Sequence, residues 1–237
     1  MRCWVPFSLL IVSITSVQAT EVRDDFESGE NPNNWSWISG SPGMIIHNGG
    51  INPVGGNPGA WFDSTDIYLS DHPNFTAVPD LGTPLRAALE SGQLRNVQLD
   101  IQRLDASNPA CPRRVEGSGD FVLRLFDLHT VPHEIIEAQT HGVAVPPGYS
   151  FPWLRMSFSI PSSSTGTPAG WDLLVPTELS DYGWAEMMRN IDGISVFVVD
   201  PEPLTVDGCW WLGADNVVVT YGDVPDAIFA NGFDSAP

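Results

Sequence analysis

The sequence contains no lysine, and all ten of its basic residues are arginines. Set against 29 acidic residues, they leave a formal net charge of −19. A surface this acidic repels nucleic acid and anionic lipid, and it attracts divalent cations. The composition therefore predicts that nucleic acid is not a partner.

Long apolar runs are absent beyond residue 20, so no membrane span is predicted. Before that point, Arg2 precedes an apolar stretch over residues 5–17, and Val17-Gln18-Ala19 places small residues where a signal peptidase reads them. The stretch is too short to span a membrane and predicts a signal peptide over residues 1–19. The protein is therefore expected to be secreted or held at the cell surface.

Cysteine is scarce, with only three in the chain. Cys3 lies in the signal peptide, so cleavage after Ala19 leaves Cys111 and Cys209. An even pair in an oxidising compartment predicts a disulfide, which would stabilise the fold by about 4 to 5 kcal/mol in the chain-entropy model. Two buried free thiols are the alternative.

Helical periodicity is nearly absent, and only residues 84–90 and 181–190 are predicted to be helical, the second with Asp181 as its N-cap. Frequent glycine and proline separate short alternating or apolar segments. These segments predict strands at 22–28, 34–39, 44–47, 60–69, 94–104, 121–128, 153–160, 194–199 and 210–221. The pattern predicts an all-β fold, a two-sheet antiparallel sandwich of the jelly-roll type over residues 20–222.

The two ends of this domain carry recognisable motifs. Residues 24–29 read DDFESG and are followed by Trp35 and Trp37, and residues 212–219 read LGADNVVV. These motifs resemble the first and last strands of galactose-binding-like jelly rolls, which include several carbohydrate-binding module families. The resemblance implies that the two strands lie side by side, often with a structural calcium ion between them.

The same resemblance implies a set of calcium ligands. They are Glu27, the main-chain carbonyl of Asp25, and Asp215, with a fourth oxygen from Asp63 or Asp66 in a middle loop. Calcium prefers hard oxygen ligands, which carboxylates and carbonyls provide. Exposed turn residues without a metal are the alternative.

A second stretch is similar to the laminin IV type A (laminin B) domain. It begins with WDLLVP at residues 171–176, passes Trp184 and a short helix, includes the apolar strand at 194–199, and ends with DNV at 215–217. This similarity extends over residues 60–221 and implies the same jelly-roll fold.

Tryptophans offer candidate sugar-binding surfaces, because a flat indole ring stacks on the face of a pyranose. Adjacent Trp210 and Trp211 must point to opposite faces of a strand, so at most one belongs to the core. Trp37 and Trp61 lie near loops rich in glycine and asparagine. We therefore predict Trp37, Trp61 and Trp211 as ligand-binding residues, with core packing as the alternative for each.

Catalytic motifs are weak. Glu178, Asp181 and Glu186 are close in sequence, but nothing places two of them across a sugar site as a glycosidase requires. His129 and His133 are four residues apart, but an intervening proline prevents the helix that zinc-protease spacing needs. A non-catalytic module that binds a glycan or a surface partner is favoured. A secreted polysaccharide hydrolase and a structural envelope protein without a discrete ligand are the alternatives.

The C-terminal segment stands apart from the domain. Residues 227–234 read AIFANGFD and resemble the short I-F-x-x-G-F-[DE] tails of exported gammaproteobacterial proteins. Two phenylalanines after a proline-containing linker indicate a binding role. Residues 223–237 are therefore predicted to be a sorting or docking segment, with a final edge strand as the alternative.

Overall fold

The computed structural model describes residues 19–39, 46–64, 67–69, 74–105, 119–128, 130, 134–140, 142–161, 165–199 and 208–222. The strands are β1 (Thr20–Asp24), β2 (Trp35–Ser39), β3 (Ile46–Asn48), β4 (Gly50–Gly56), β5 (Gly59–Asp63), β6 (Ile67–Leu69), β7 (Asn74–Ala77), β8 (Leu94–Leu104), β9 (Asp120–Asp127), β10 (Ile136–Thr140), β11 (Val143–Ala144), β12 (Phe151–Ser159), β13 (Trp171–Leu174), β14 (Gly193–Val199) and β15 (Gly208–Tyr221). The helices are α1 (Pro84–Glu90) and α2 (Trp184–Met187), and a 3-10 helix spans Thr177–Leu179.

The strands form two sheets that enclose one core. The first has seven strands, in the order β12-β8-β15-β5-β4, and β1 and β6 pair with other parts of β15. The second has eight strands, in the order β13-β10-β9-β14-β7-β2-β3, and β11 pairs with β9. The strand pairs in the described residues are antiparallel. The predicted all-β, two-sheet sandwich is thereby confirmed.

Alternation along the central strands builds the core between the sheets. In β8, the side chains of Val97, Leu99 and Ile101 are at most 1% exposed, and in β14 those of Ile194 and Val198 are equally buried. Successive side chains of a strand point to opposite faces. The residues between these therefore form the outer faces of the sheets, where any binding surface on the strands must lie.

Aromatic rings fill the core where β2 meets β7. Phe75 is fully buried, Trp35 stacks on it at 4.7 Å between ring centroids, and Trp37 meets it at 5.0 Å. Both tryptophans point inward because they are two residues apart on the same strand. Trp37 is only 1% exposed. Its prediction as a ligand-binding surface residue is therefore corrected: it is a core residue.

Helix α1 begins where the sequence predicts. Thr83 caps it, accepting a hydrogen bond from the main-chain N–H of Arg86 at 3.2 Å, and Pro84 occupies the first turn. Neither helix within the described ranges is long and apolar enough to cross a membrane.

Helix α2 is shorter than predicted, and its N-cap is Gly183 rather than Asp181. Gly183 has an extended backbone, and the preceding Tyr182 is buried with its hydroxyl donating to Asp127 at 2.8 Å. Because this contact directs Tyr182 into the core, the helix begins only after Gly183.

Candidate functional site

The first and last strands lie side by side, as the resemblance to galactose-binding-like jelly rolls implied. β1 pairs antiparallel with the last five residues of β15. Asp25 and Glu27 follow β1, and Asp215 lies in β15 just before this pairing begins. The strand pair therefore brings the predicted calcium ligands to the place where the β1–β15 pairing begins.

Two buried carboxylates face each other at this place. Asp215 of β15 lies opposite Asp100 of β8, and they are 1% and 4% exposed. Asp215 accepts hydrogen bonds from the main-chain N–H groups of Asn57 and Asn216 at 2.7 and 2.6 Å. Asp100 accepts from the side-chain amides of the same two asparagines at 3.3 and 3.0 Å, and from Arg155 at 3.2 Å.

Glu27 completes this group, which we call the acidic cluster: Glu27, Asp100, Asp215 and Arg155. Its carboxylate accepts from the main-chain N–H of Ala60 at 3.1 Å, and its own N–H donates to Asp25 at 3.2 Å. A side chain at Gly59, whose φ is +86°, would collide with the Glu27 carboxylate. Glycine is therefore required there for both reasons.

Within the acidic cluster, the surroundings of Asp215 disfavour its ionised form. Burial raises the pKa of Asp215 to about 6, the two main-chain N–H donors oppose that rise, and nearby Asp100 and Glu27 add to it. Arg155 is the cation hydrogen-bonded to the cluster, and its side chain is 47% exposed. In the described part of the chain, the cluster thus contains three carboxylates and one partly solvated arginine, which is paired with Asp100.

The calcium prediction remains a prediction. Within the described ranges, no group of three or more histidine, cysteine, aspartate or glutamate side chains is arranged to hold a metal ion. N–H donors contact both oxygens of Asp215 and both oxygens of Asp100. The cluster nevertheless offers carboxylates in excess of positive charge, which is the electrostatic setting that calcium would relieve.

Three tryptophans lie on the outer face of the seven-stranded sheet, and we call Trp61, Trp153 and Trp211 the tryptophan face. Trp61 lies over Gly213, where any added Cβ would collide with its indole ring. Trp153 meets Trp61 edge-on, with 6.0 Å between centroids. Trp211 donates from Nε1 to Asp63 at 2.7 Å.

Exposure separates these three tryptophans. Trp61 is 3% exposed, which corrects its prediction as a surface platform, because the other side chains of this face cover it. Trp211 is half-buried, whereas its neighbour Trp210 is 2% exposed and belongs to the core. The expectation that these two residues point to opposite faces is confirmed. Because Asp63 accepts from Trp211, it is engaged away from the acidic cluster.

Several predicted residues lie outside the described part of the chain. They are Asp66, Cys111, the side chain of Cys209, the predicted signal peptide except Ala19, and the C-terminal segment 223–237. The disulfide, the signal peptide and the docking segment therefore stay predictions.

The outer face of the eight-stranded sheet carries a groove that the sequence did not predict. Its central cavity of about 270 Å³ lies between β2 and β7 on one side and β9 and β10 on the other. The strand between them, β14, presents Gly193 and Ser195 outward. Because these residues are small, the longer side chains of the neighbouring strands stand above them and form the walls.

A connected polar network lies along this cavity. Arg124 donates to Glu137 at 2.9 Å and to Asn74 at 3.3 Å. Thr76 donates to Ser195 at 3.0 Å, and Ser195 contacts Asn74 at 3.4 Å. The network joins four strands and fixes the orientation of its planar side chains.

Two adjoining cavities extend the central one. A cavity of about 320 Å³ shares Ile38, Thr76 and Val78 with it, and one of about 530 Å³ shares Ile135. Together, the three cavities cross six strands from β2 to β13, or roughly 24 Å at the usual strand spacing. Exposed apolar side chains mark the rim: Val78, Ile135 and Leu174 are 44%, 53% and 50% exposed. We call these three cavities the groove.

The groove does not bring together the carboxylates proposed for hydrolysis. Among the described residues, Glu137 is the one carboxylate that lines its central cavity, and its second oxygen accepts from Gln139 at 2.8 Å. Glu178 and Asp181 are exposed, Glu186 is half-buried, and none of the three lines the cavities described above.

Weak signals for the groove existed in the sequence. Arg124 is a cation within the otherwise apolar run of residues 121–126, and Ser195 interrupts the apolar run of β14. Asn74, Thr76 and Glu137 lie on β7 and β10, which were not predicted as strands. Sequence patterns therefore missed two of the four strands that line the central cavity.

No protein-family model matches the chain, and no curated protein matches it. Among solved structures, a similar one is a carbohydrate esterase from the Shiga toxin-encoding bacteriophage phi24B. It is 9% identical, the match covers 87% of this chain and 100% of that chain, and the TM-score is 0.43. At this identity and TM-score, the similarity says nothing about the activity of the present chain.

Proposed function

We propose that the protein is an exported, non-catalytic module that binds an uncharged glycan in the groove. The observation that carries the proposal is the combination of apolar walls with a fixed polar network in one open cavity. Sugars present C–H faces and hydroxyl edges, so they suit apolar walls beside planar hydrogen-bonding groups. Arg124, Glu137 and Asn74 supply such groups.

Charge favours an uncharged glycan over an acidic one. The net charge of −19 repels anionic polymers, including nucleic acid and acidic polysaccharides. Inside the groove, Glu137 neutralises Arg124 at 2.9 Å. The described residues that line the cavity therefore offer no surplus positive charge to a bound anion.

The arrangement of carboxylates in the central cavity favours glycan binding over glycan hydrolysis. A glycosidase generally needs two acidic groups on opposite sides of the scissile bond. Among the described residues that line the central cavity, Glu137 is the one carboxylate, and both of its oxygens accept hydrogen bonds from neighbouring side chains. This arrangement suits recognition of hydroxyls.

Export and stabilisation form part of the proposal. The signal peptide at residues 1–19 would deliver the domain to an oxidising compartment, where Cys111 and Cys209 would pair. Residues 223–237 would then act as a sorting or docking segment. These elements rest on sequence motifs.

A structural calcium ion is the proposed cofactor. Glu27, Asp215 and the main-chain carbonyl of Asp25 would hold it at the end of the β1–β15 pair. It would offset the repulsion among carboxylates in the acidic cluster, and it has no proposed part in recognition.

Filling the groove from its rim tests the proposed function. Val78→Trp places a large ring in the cavity at a position that is already 44% exposed, so folding should be retained. We expect glycans identified on an array to bind this variant at least tenfold more weakly. The matched control is Val54→Trp on β4 of the other sheet, where valine is 71% exposed. Equal binding by both variants would contradict the proposal.

The tryptophan face is a second candidate surface for the same function. Trp153 and Trp211 are half-buried on one sheet face, which leaves part of each indole open to solvent. Trp211→Ala distinguishes the two surfaces. If the glycan binds Val78→Trp normally but is lost in Trp211→Ala, the tryptophan face is the binding surface and the groove is not.

A further inference from the structure

We infer that the groove selects sugars that carry an N-acetyl group over the same sugars with a hydroxyl at that position. The inference rests on the proposed function, because it names the class of glycan for the same cavity. It is carried by two features of the central cavity: an apolar wall and a charged pair that matches an amide.

The apolar wall is extensive for a sugar site. Ile38, Val78, Phe126, Leu128 and Ile135 all line the central cavity. Phe126 lies against Gly193, where an added Cβ would collide with its ring, so the wall continues over the middle strand. A bound sugar must therefore place an apolar group against this wall.

An unsubstituted sugar meets this requirement only with the C–H face of its ring. Its hydroxyls surround the ring, and any that face aliphatic carbon lose their hydrogen bonds to water without replacement. The methyl group of an N-acetyl substituent has no such requirement. The cavity volume of about 270 Å³ is near the lower end of the range for small-ligand pockets.

The Arg124–Glu137 pair complements the amide of the same substituent. Both side chains are partly accessible, at 24% and 18% of their surface, and their charged groups lie 2.9 Å apart. The guanidinium offers N–H donors, and the carboxylate offers acceptor lone pairs. An acetamido group presents a carbonyl acceptor and an N–H donor together, so it can engage both partners while its methyl meets the wall.

A matched pair of ligands tests the inference. β-1,4-linked oligomers of N-acetylglucosamine and of glucose, at equal length, share one backbone and differ in the group at C2. Titration calorimetry with the full chain should give at least a tenfold lower Kd for the N-acetylated oligomer. Because neither oligomer is charged, salt should change neither affinity appreciably.

A substitution in the apolar wall tests whether the preference for N-acetylated oligomers arises in the central cavity. Ile135 is 53% exposed, so Ile135→Asn should fold normally while it removes apolar surface from the wall. We expect the ratio of the two affinities to fall several-fold toward one. Val54→Asn, a matched substitution at the exposed site on β4, should leave the ratio unchanged.

The outcomes separate this inference from the proposed function. Equal affinity for both oligomers, or an unchanged ratio in Ile135→Asn, overturns the inference and leaves glycan binding in the groove intact. If only glycans without N-acetyl groups bind on the array, and Val78→Trp abolishes that binding, the N-acetyl preference is wrong. Glycan binding in the groove is then retained. If no glycan binds and an apolar peptide or a second copy of the chain occupies the groove, both fail.

Discussion

The two outer faces of the sandwich each pack an aromatic ring over a central glycine, but only one of these rings lines a cavity in the described part of the chain. On the seven-stranded sheet, Gly213 is covered by the indole of Trp61, and the surrounding polar groups are bonded to one another. On the eight-stranded sheet, the ring of Phe126 lies against Gly193, the small residue Ser195 follows on the same face, and a cavity lined by Phe126 stays open there. The glycine accommodates a ring on both faces, and the small residue beside it leaves space for the cavity on the second. We call the first the closed face and the second the open face.

This difference gives the polar groups of each face a different role. On the closed face, Asp100 and Asp215 are almost completely buried, so their partners serve stability. On the open face, Arg124 and Glu137 are partly accessible beside a cavity, so they remain available to a ligand.

The largest expected effect concerns the two glycines. Gly213→Ala should lower the free energy of unfolding by about 3 kcal/mol, because Trp61 is buried and cannot move aside. Gly193→Ala should cost at least as much, because the added Cβ would meet the buried Phe126 ring and, at 2.7 Å, the main-chain carbonyl oxygen of Ala77. Urea unfolding of both variants provides the measurement. A loss of less than about 1 kcal/mol for Gly193→Ala would show that Phe126 and its surroundings yield easily toward the groove.

Calcium should stabilise the closed face. At a concentration a hundredfold above its Kd, it should raise the free energy of unfolding by roughly 2 to 3 kcal/mol over protein in EDTA. Asp215→Asn should abolish this gain, and Asp63→Asn should retain it because Asp63 is bonded to Trp211. Thermal unfolding provides the measurement. Identical melting temperatures with calcium and with EDTA would contradict the proposed calcium site.

Without metal, Asp215 should make stability depend on pH. Its pKa of about 6 in the folded protein lies above the unfolded value of about 3.9. The raised pKa favours folding below pH 4, and that contribution is lost as pH rises through 6. In EDTA, the stability of the wild type relative to Asp215→Asn should therefore fall by roughly 2 kcal/mol between pH 4 and pH 7. A constant difference between the two proteins over this range is the contrary result.

The smallest expected stability change is on the open face. Glu137→Gln should lower the free energy of unfolding by less than about 1 kcal/mol, because the Arg124–Glu137 pair is partly solvated. Arg155→Gln should cost about 1 to 2 kcal/mol, because its partner Asp100 is buried.

Glycan affinity should show the reverse order. Glu137→Gln should weaken binding about tenfold, whereas Arg155→Gln should leave the affinity unchanged. Titration calorimetry of the two variants provides the measurement, and a larger affinity loss in Arg155→Gln would contradict the division between the faces.

Local patterns predicted the regular parts of the fold. The strand β8 and the helix α1 have the predicted bounds, because strict alternation and a proline-led helix start are local signals. The opening and closing strands pair as their motifs implied. Strands β4, β7, β10 and β11 were missed, because they are short or rich in glycine and take their conformation from pairing.

The site was harder to predict, because its residues come together only in the folded sheets. Trp37 and Trp61 looked like surface residues from neighbouring loop sequences, but inward alternation buries the first and the side chains around Gly213 enclose the second. Asp100 joins Asp215 through strand pairing across more than a hundred residues. No local sequence pattern indicates that Asp100 and Asp215 are close in space.

Hydrogen exchange of main-chain amides with and without a saturating N-acetylated oligosaccharide tests the central claim most directly. Binding in the groove should slow exchange at residues 74–78, 122–128 and 135–137, and leave 61–63 and 210–213 unchanged. Slower exchange confined to 61–63 and 210–213 would place the ligand on the tryptophan face and contradict the account.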